Sequence, residues 1–420
     1  MMARLAYSLL LYVGAPLIWL RLAWRSRKQP EYLSHLGERY GFYPGSAPTK
    51  LIWVHAVSVG ETRAAQPLIE GLLARWPDHR ILLTGMTPTG RAAGRELYGD
   101  RVIQAYLPYD YPGAVARFFR HFSPAFGILM ETEIWPNLLR AARGAGVPVV
   151  LANARLSARS ARGYGRFRRL VEPAFATLAG VAAQTQGDAE RLHALGARTI
   201  KVSGNLKFDV LPPADKIALG RQWRQAIGSR PVWLAASTRE GEEALVLEAW
   251  RRVALAGALL VLVPRHPQRF DEVAALLRQQ GWHAVRRSEA LPNGNTEVWL
   301  GDSMGEMAAY FSLADLAFVG GSLLPLGGQN LIEAAACGCP VLVGPHTFNF
   351  LQATEDAIAA GAAQRVADAD GLGACVVGLL CDAERLAAMR LASSDFARAH
   401  QGAAERMLGF IARWTGRAVR

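Results

Sequence analysis

The sequence predicts an α/β protein made of two Rossmann-like halves, each a parallel sheet covered by helices. Three observations carry that expectation. Short apolar runs alternate with segments whose apolar residues recur at helix spacing, as expected for parallel strands joined by helical crossovers. The pattern pauses at the proline-containing stretch DVLPPAD, Asp209 to Asp215, and then starts again. At 420 residues the chain is too long for one compact core and suits two domains.

The first element is the uncharged run LAYSLLLYVGAPLIWL, Leu5 to Leu20, flanked by Arg4 before it and by Arg21, Arg25, Arg27 and Lys28 after it. Spanning a bilayer takes roughly 20 apolar residues. A single tilted span, with Arg4 and Arg21 snorkelling, and a helix lying in the interface both remain open. The heavier positive flank on the C-terminal side predicts that the rest of the chain is cytoplasmic. No A-x-A-like cleavage site precedes the basic run, which argues against a signal peptide. The runs LIWVHAV, RILLTGM, AFGILM, VPVVLAN, GVAAQT and IKVSGN are the strands of the first half. PVWLAAS, ALLVLVP, HAVRR, EVWLGD, LAFVGG and PVLVGP are those of the second. The expected division is an anchor over 1–28, an N-terminal domain over 29–207 and a C-terminal domain over 208–420.

Composition narrows the partners. With 51% hydrophobic and 20% charged residues the chain is globular. A formal charge of +12 favours acidic partners, with nucleic acid, anionic lipid and phosphorylated small molecules all qualifying. Cys337, Cys339, Cys375 and Cys381 show no zinc-site spacing, and no histidine pair matches HExxH. Reduced thiols and no protein-bound metal are expected.

In doubly wound folds ligands bind beyond the carboxyl ends of the strands, so the loops that follow strands hold the candidate residues. Glu61 follows the first strand and an SVG turn, on the first turn of the next helix. A carboxylate there complements the helix dipole, worth about 0.3–1 kcal/mol. That dipole lowers its pKa, whereas a general base needs a value near the working pH and burial pushes upward. Glu131 and Glu133 in GILMETEIWPN stand where another strand runs out, on one face if the strand continues. Lys207 in VSGNLKFD lies at the linker, where it is either solvated or able to neutralise an anionic sugar.

In the second half, Arg265 and His266 follow a long apolar strand, where an arginine is suited to phosphate. The stretch FVGGSLLPLGGQNLIEAAACGCPVLVGP joins a strand to a glycine-rich loop and a helix beginning near Asn330, with Glu333 one turn in. Glycines let backbone amides approach a phosphate there, although the stretch is not a P-loop. Met304, Gly305 and Glu306 lie in a loop whose backbone could contact a base or ribose. Arg155, Arg159, Arg162, Arg166 and Arg169 recur at three- and four-residue spacing, a solvated face or a surface for phosphorylated lipid heads. Their aromatic interleaving, Tyr164 and Phe167, is thin for single-stranded nucleic acid. Asp368 and Asp370 form a DxD that reads as a loop.

These motifs occur in an order that resembles the lipid A Kdo transferases, the 3-deoxy-D-manno-octulosonic acid (Kdo) transferases of lipopolysaccharide assembly. HAVSVGET, TPTG, LPYD, METEIWPNL, NARLS, GNLKFD, REGEE, LVPRHPQRF, GDSMGEM, GGQNLIEAAA and GPHTFNF carry the resemblance over nearly the whole chain. It implies a GT-B glycosyltransferase whose two domains face a cleft, with CMP-Kdo as donor, a lipid A precursor as acceptor, and no cofactor. It further implies Glu61 as base, Glu131 and Lys207 in transition-state stabilisation, and CMP contacts from Arg265, His266, Met304, Gly305, Glu306, Asn330, Leu331, Ile332 and Glu333. Expected partners are CMP-Kdo, the lipid acceptor and anionic membrane lipid, and not nucleic acid. A GT-B enzyme using a UDP-sugar and a non-catalytic lipid-binding protein are the alternatives.

Overall fold

The computed structural model describes residues 2–27, 29–253 and 255–415; Lys28 of the basic flank lies outside them. The chain forms two compact units, residues 1–210 with 402–420, and residues 211–401.

The first unit opens with two helices, α1 (Met2–Val13) and α2 (Ala15–Ser26), bent by 48° at Gly14. Its sheet contains β1 (Leu51–His55), β2 (Arg80–Gly85), β3 (Val102–Tyr106), β4 (Phe126–Met130), β5 (Val149–Ala154), β6 (Gly180–Ala183) and β7 (Ile200–Val202), in the order β3-β2-β1-β4-β5-β6-β7. All pairs are parallel. Both faces are covered, so β1 and β4 are buried at every position, which is why they read as continuous apolar runs. Leu51, Trp53 and Leu129 point into one core layer, and Ile52, Val54 and Ile128 into the other.

The second unit repeats the plan with β8 (Val232–Thr238), β9 (Leu259–Pro264), β10 (Ala284–Arg286), β11 (Val298–Leu300), β12 (Leu316–Val319), β13 (Val341–Val343) and β14 (Ala363–Arg365). Their order is β10-β11-β9-β8-β12-β13-β14, again parallel throughout. β3 and β14 were not among the strands expected from the sequence. Both are edge strands, and β3 carries partly buried positions while β14 has only three residues, so neither shows a long apolar run.

Residues 402–415 depart from the expectation that the C-terminal domain runs to the end. Helix Ala403–Thr415 belongs to the first unit. Asp209 holds it there, with Oδ1 accepting the Gly402 N–H at 2.6 Å and Oδ2 accepting the Ala404 N–H at 2.5 Å. Arg406 donates to the Ser203 carbonyl at 2.9 Å, while Met407, Leu408 and Ile411 enter the core beside β1 and β4.

Candidate functional site

Strand order reverses between β1 and β4, and the ends of these two strands carry three carboxylates. β1 stops at His55. Ser58 then caps helix Val59–Ala64, its hydroxyl oxygen accepting the Glu61 N–H while the hydroxyl donates to Glu61 Oε1 at 3.1 Å. Glu61 Oε2 accepts the Val57 N–H at 2.8 Å. Both oxygens are therefore fixed before any substrate arrives. Burial nevertheless pushes Glu61 up to about 7, with Glu131 and Glu133 adding to the rise and the Val57 and Ser58 hydrogen bonds opposing it. The opposing expectations of the sequence are resolved in favour of burial.

β4 stops at Met130, and Glu131 turns left-handed at φ 58°. The expectation that Glu131 and Glu133 share a strand face is thus corrected, because the extended backbone ends before either. A left-handed non-glycine residue costs about 1–2 kcal/mol, and such strain is characteristic of functional positions. The turn is held by the Glu131 N–H, which donates to Ala152 O at 2.9 Å. Glu133 Oε2 accepts the Trp135 indole N–H at 2.7 Å, and burial raises its pKa.

The next residue of β5, Asn153, binds the segment that carries Lys207. Asn153 Oδ1 accepts the Leu206 N–H at 3.0 Å, and Asn205 Oδ1 accepts the Lys207 N–H at 3.0 Å. The short helical turn Leu206–Asp209 therefore docks at the end of β5, one strand from Glu131. Asn153 was overlooked as a residue of importance; its only sequence signal is an asparagine in NARLS just where an apolar strand ends.

The arginine run does not form one helical face. Arg155 precedes helix Ala158–Gly165, Arg166 ends it, and Arg169 lies on the separate helix Arg168–Phe175. Gly163 and Gly165 weaken helix continuity here. Tyr164 turns inward on the first of these helices, its hydroxyl 3.5 Å from the Thr132 carbonyl of the acidic loop, while Arg159 and Arg162 of the same helix are exposed.

In the second unit the reversal falls between β8 and β12. Gly320, just past β12, approaches β8 so closely that a Cβ would sit 2.6 Å from Ser237 O. Fully buried Glu242 joins the two strand ends. It accepts the Arg239 N–H at 2.9 Å, the Leu323 N–H at 3.0 Å and the Gly321 N–H. Neighbouring Glu243 pairs with Arg269 at 3.2 Å, so REGEE and HPQRF hold one another. Arg265 and His266 are exposed beyond β9, with the Arg265 N–H donating to Thr238 O at 2.9 Å. Partial burial depresses the His266 pKa, and the charges of Arg239, Arg265 and Arg269 lower it further. Arg239 is thus a fourth member of a cationic cluster, one that the sequence pattern gave no sign of.

Beyond β11, Gly305 is left-handed at φ 76° and Met304 is exposed. Glu306 pairs with Arg287 at 3.2 Å and accepts the Ser303 hydroxyl. Beyond β12, the expected helix starts at Ile332, two residues later than Asn330. Asn330 Oδ1 accepts the Ile332 N–H at 3.1 Å, which makes Asn330 the turn that leads into the helix. The Leu331 and Ile332 side chains are buried in the unit, so a ligand would meet their backbone. Glu333 sits on the first helical turn. The DxD also differs from its expectation as a loop, because Asp368 caps helix Ala369–Leu380 by accepting the Gly371 N–H at 2.8 Å and Asp370 pairs with Arg252. Among the described residues no group of three or more His, Cys, Asp or Glu is placed to hold a metal.

Residues 34–210 match the family profile described as 3-deoxy-D-manno-octulosonic-acid transferase (kdotransferase). A 3-deoxy-D-manno-octulosonic acid transferase of Bordetella pertussis is 47% identical over 99% of this chain and 100% of its own. One from Haemophilus influenzae is 38% identical over 100% of both. Among solved structures, a UDP-GlcNAc 2-epimerase from Neisseria meningitidis is 15% identical with a TM-score of 0.60, over 87% of this chain and 100% of that one, a likeness of fold.

Proposed function

The chain belongs to the 3-deoxy-D-manno-octulosonic acid transferase family, and from that premise we propose that it transfers Kdo from CMP-Kdo to a lipid A precursor in lipopolysaccharide core assembly. Full-length identity of 47% to a transferase of that name is the observation that carries the reading. The two parallel seven-stranded sheets are those of a GT-B glycosyltransferase.

Glu61 is the general base. Its carboxylate takes the proton of the acceptor hydroxyl as that oxygen attacks the anomeric carbon of Kdo. The bond from that carbon to the phosphate oxygen breaks, CMP leaves with the bonding pair, and the anomeric centre inverts. A carboxylate raised to about 7 and held by Val57 and Ser58 is supported as a base by both its proton affinity and its fixed position. Glu131 and Lys207 stabilise the transition state at the end of the same sheet.

CMP is held in the second unit by Arg265, His266, Met304, Gly305, Glu306, Asn330, Leu331, Ile332 and Glu333. Arg239 joins the cations that face its phosphate, a role supported by its influence on His266. With positive charge supplied by side chains at the donor, the reading requires no metal ion. The chain works at the cytoplasmic face of the inner membrane, attached through α1 and α2, and the exposed arginines Arg159 and Arg162 meet the phosphates of the lipid acceptor and of anionic lipid.

The test is CMP release from CMP-Kdo with a tetraacylated lipid A precursor, comparing the wild type with Glu61→Gln. Acceptor-dependent release that collapses in the folded variant supports transferase and base together. Release that requires a UDP-sugar donor, or no release with any nucleotide sugar by folded wild type, overturns the reading.

A further inference from the structure

The N-terminal helices are amphipathic in the reverse of the usual sense. α1 turns its polar residues toward the protein. Arg4 Nη1 donates to Asn137 Oδ1 at 3.0 Å, Asn137 Nδ2 donates to Ser8 Oγ at 3.0 Å, and the Tyr7 hydroxyl donates to Asp110 Oδ2 at 3.0 Å. Ser8, Asp110 and Asn137 are all buried. Asp110 in turn caps helix Pro136–Gly144, accepting the N–H groups of Asn137 at 3.0 Å and Leu138 at 2.7 Å. The outward face holds Leu5, Leu9, Leu10 and Val13, and Leu17 and Leu20 continue it on α2, all more than half exposed. A helix that met water on that side would carry the opposite pattern. This face is built for hydrocarbon.

Geometry decides how it meets the hydrocarbon. Each helix has 12 residues, about 18 Å, against a hydrophobic thickness of about 30 Å, and the two are bent by 48°. If α1 crossed the bilayer, its joint would take a buried carboxylate and the start of helix Pro136–Gly144 into the acyl region, at a large desolvation cost. Lying flat, the same helices keep that joint on the watery side. The exposed indole of Trp24 and the cations Arg21 and Arg27 then sit at headgroup level, where aromatic and basic residues are favoured and anionic phosphates complement the charge.

We propose that α1 and α2 lie within a single leaflet with the leucine face in the acyl chains, so that the N-terminus stays on the same side of the membrane as both units. The inference rests on the membrane attachment proposed above and settles its topology. The Asp110–Asn137 joint gives LPYD and the end of METEIWPNL a purpose. It ties the membrane helices to the chain just after Trp135, which holds Glu133.

The test uses the full chain in two assays. In flotation with vesicles of phosphatidylethanolamine and phosphatidylglycerol, the wild type floats and Leu9→Glu/Leu10→Glu loses binding by at least about tenfold. Both leucines are exposed, so the fold is retained and is checked by circular dichroism. In the second assay, a fluorescent protein that matures only in the cytoplasm is fused to the N-terminus, and cells of an active culture are fractionated. Fluorescence in the membrane fraction is expected. A dark fusion in that fraction means the N-terminus has crossed, which overturns the proposal and leaves attachment intact. A wild type that does not float overturns attachment as well. Unchanged flotation of the double variant, with conversion of a dimer to a monomer, would assign the leucine face to a second copy of the chain and also overturn the proposal.

Discussion

The side-chain oxygen of Asn153 accepts the backbone N–H of Leu206 at 3.0 Å, across 53 positions of sequence. The preceding residue, Ala152, accepts the Glu131 N–H at 2.9 Å, so two consecutive residues of β5 set the backbone positions of both proposed transition-state groups. Asn153 is left-handed at φ 52°, a conformation that asparagine tolerates and most residues do not. Asn153→Ala should therefore lose about 1–2 kcal/mol of stability to backbone strain. Asn153→Gly accepts the backbone angle but removes the tie, and its turnover should fall about 10- to 100-fold through misplacement of Lys207. Steady-state kinetics beside thermal melts of both variants separate the effects; a glycine variant with wild-type turnover would remove the positioning role.

Glu61, as the proposed base, should set the pH dependence. Since its carboxyl is pushed up to about 7, kcat/KM should rise with pH through that value. Glu61→Gln keeps one oxygen for the Val57 N–H and sets its amide N–H₂ against the Ser58 hydroxyl, which can turn to accept from it, and should lose about 10²- to 10⁴-fold in turnover. Stability moves the other way. A folded pKa above the unfolded one stabilises fully below the unfolded value of 4.5, and that contribution is lost as pH rises through about 7. Melts between pH 5 and pH 8 should show this decline in the wild type and a flatter profile in Glu61→Gln.

Glu131 and Glu133 should respond differently to the same substitution. Glu133 is engaged by the Trp135 indole, a contact that a glutamine oxygen preserves. Glu133→Gln should keep turnover within about tenfold of the wild type, whereas Glu131→Gln should lose about 10²-fold or more. Equal impairment in a side-by-side CMP-release assay would undo the separate roles.

Glu242 should govern donor binding without touching the donor. Its buried carboxylate accepts three backbone N–H groups, and in Glu242→Gln an amide N–H₂ would face donors. The loss should be about 1–3 kcal/mol in stability, with a raised KM for CMP-Kdo. Calorimetric titration with CMP checks the second point, and unchanged affinity would confine Glu242 to folding.

Arg239 should contribute to that affinity directly. Arg239→Ala removes one half-buried cation from the cluster around His266, and CMP affinity should fall about tenfold at low salt, with a smaller difference at high salt. The His266 pKa, followed by NMR, should rise in the same variant.

Much of the fold was legible in the sequence because strand and helix reveal themselves locally. A strand buried on both faces, such as Leu51 to His55, must be apolar throughout, and the turn that follows must supply small or polar residues. The edge strands Val102–Tyr106 and Ala363–Arg365 escaped notice because partial burial relaxes that demand. The position of Glu61 on a first helical turn was also readable, as it follows an apolar strand and the SVG turn.

Other features depend on residues far apart in the chain meeting in space. Local patterning does not encode which strand ends become neighbours, so the approach of β1 to β4, which gathers Glu61, Glu131 and Glu133, came only with the sheet order. The left-handed turn at Glu131, the Asn153 tie and the return of residues 402–415 to the first unit are of the same kind. Chain composition established an apolar N-terminal segment with basic flanks. Its outward leucines and inward Arg4, Tyr7 and Ser8 became distinguishable once Asp110 and Asn137 were found beneath it, because which side of a helix needs burial depends on what stands opposite.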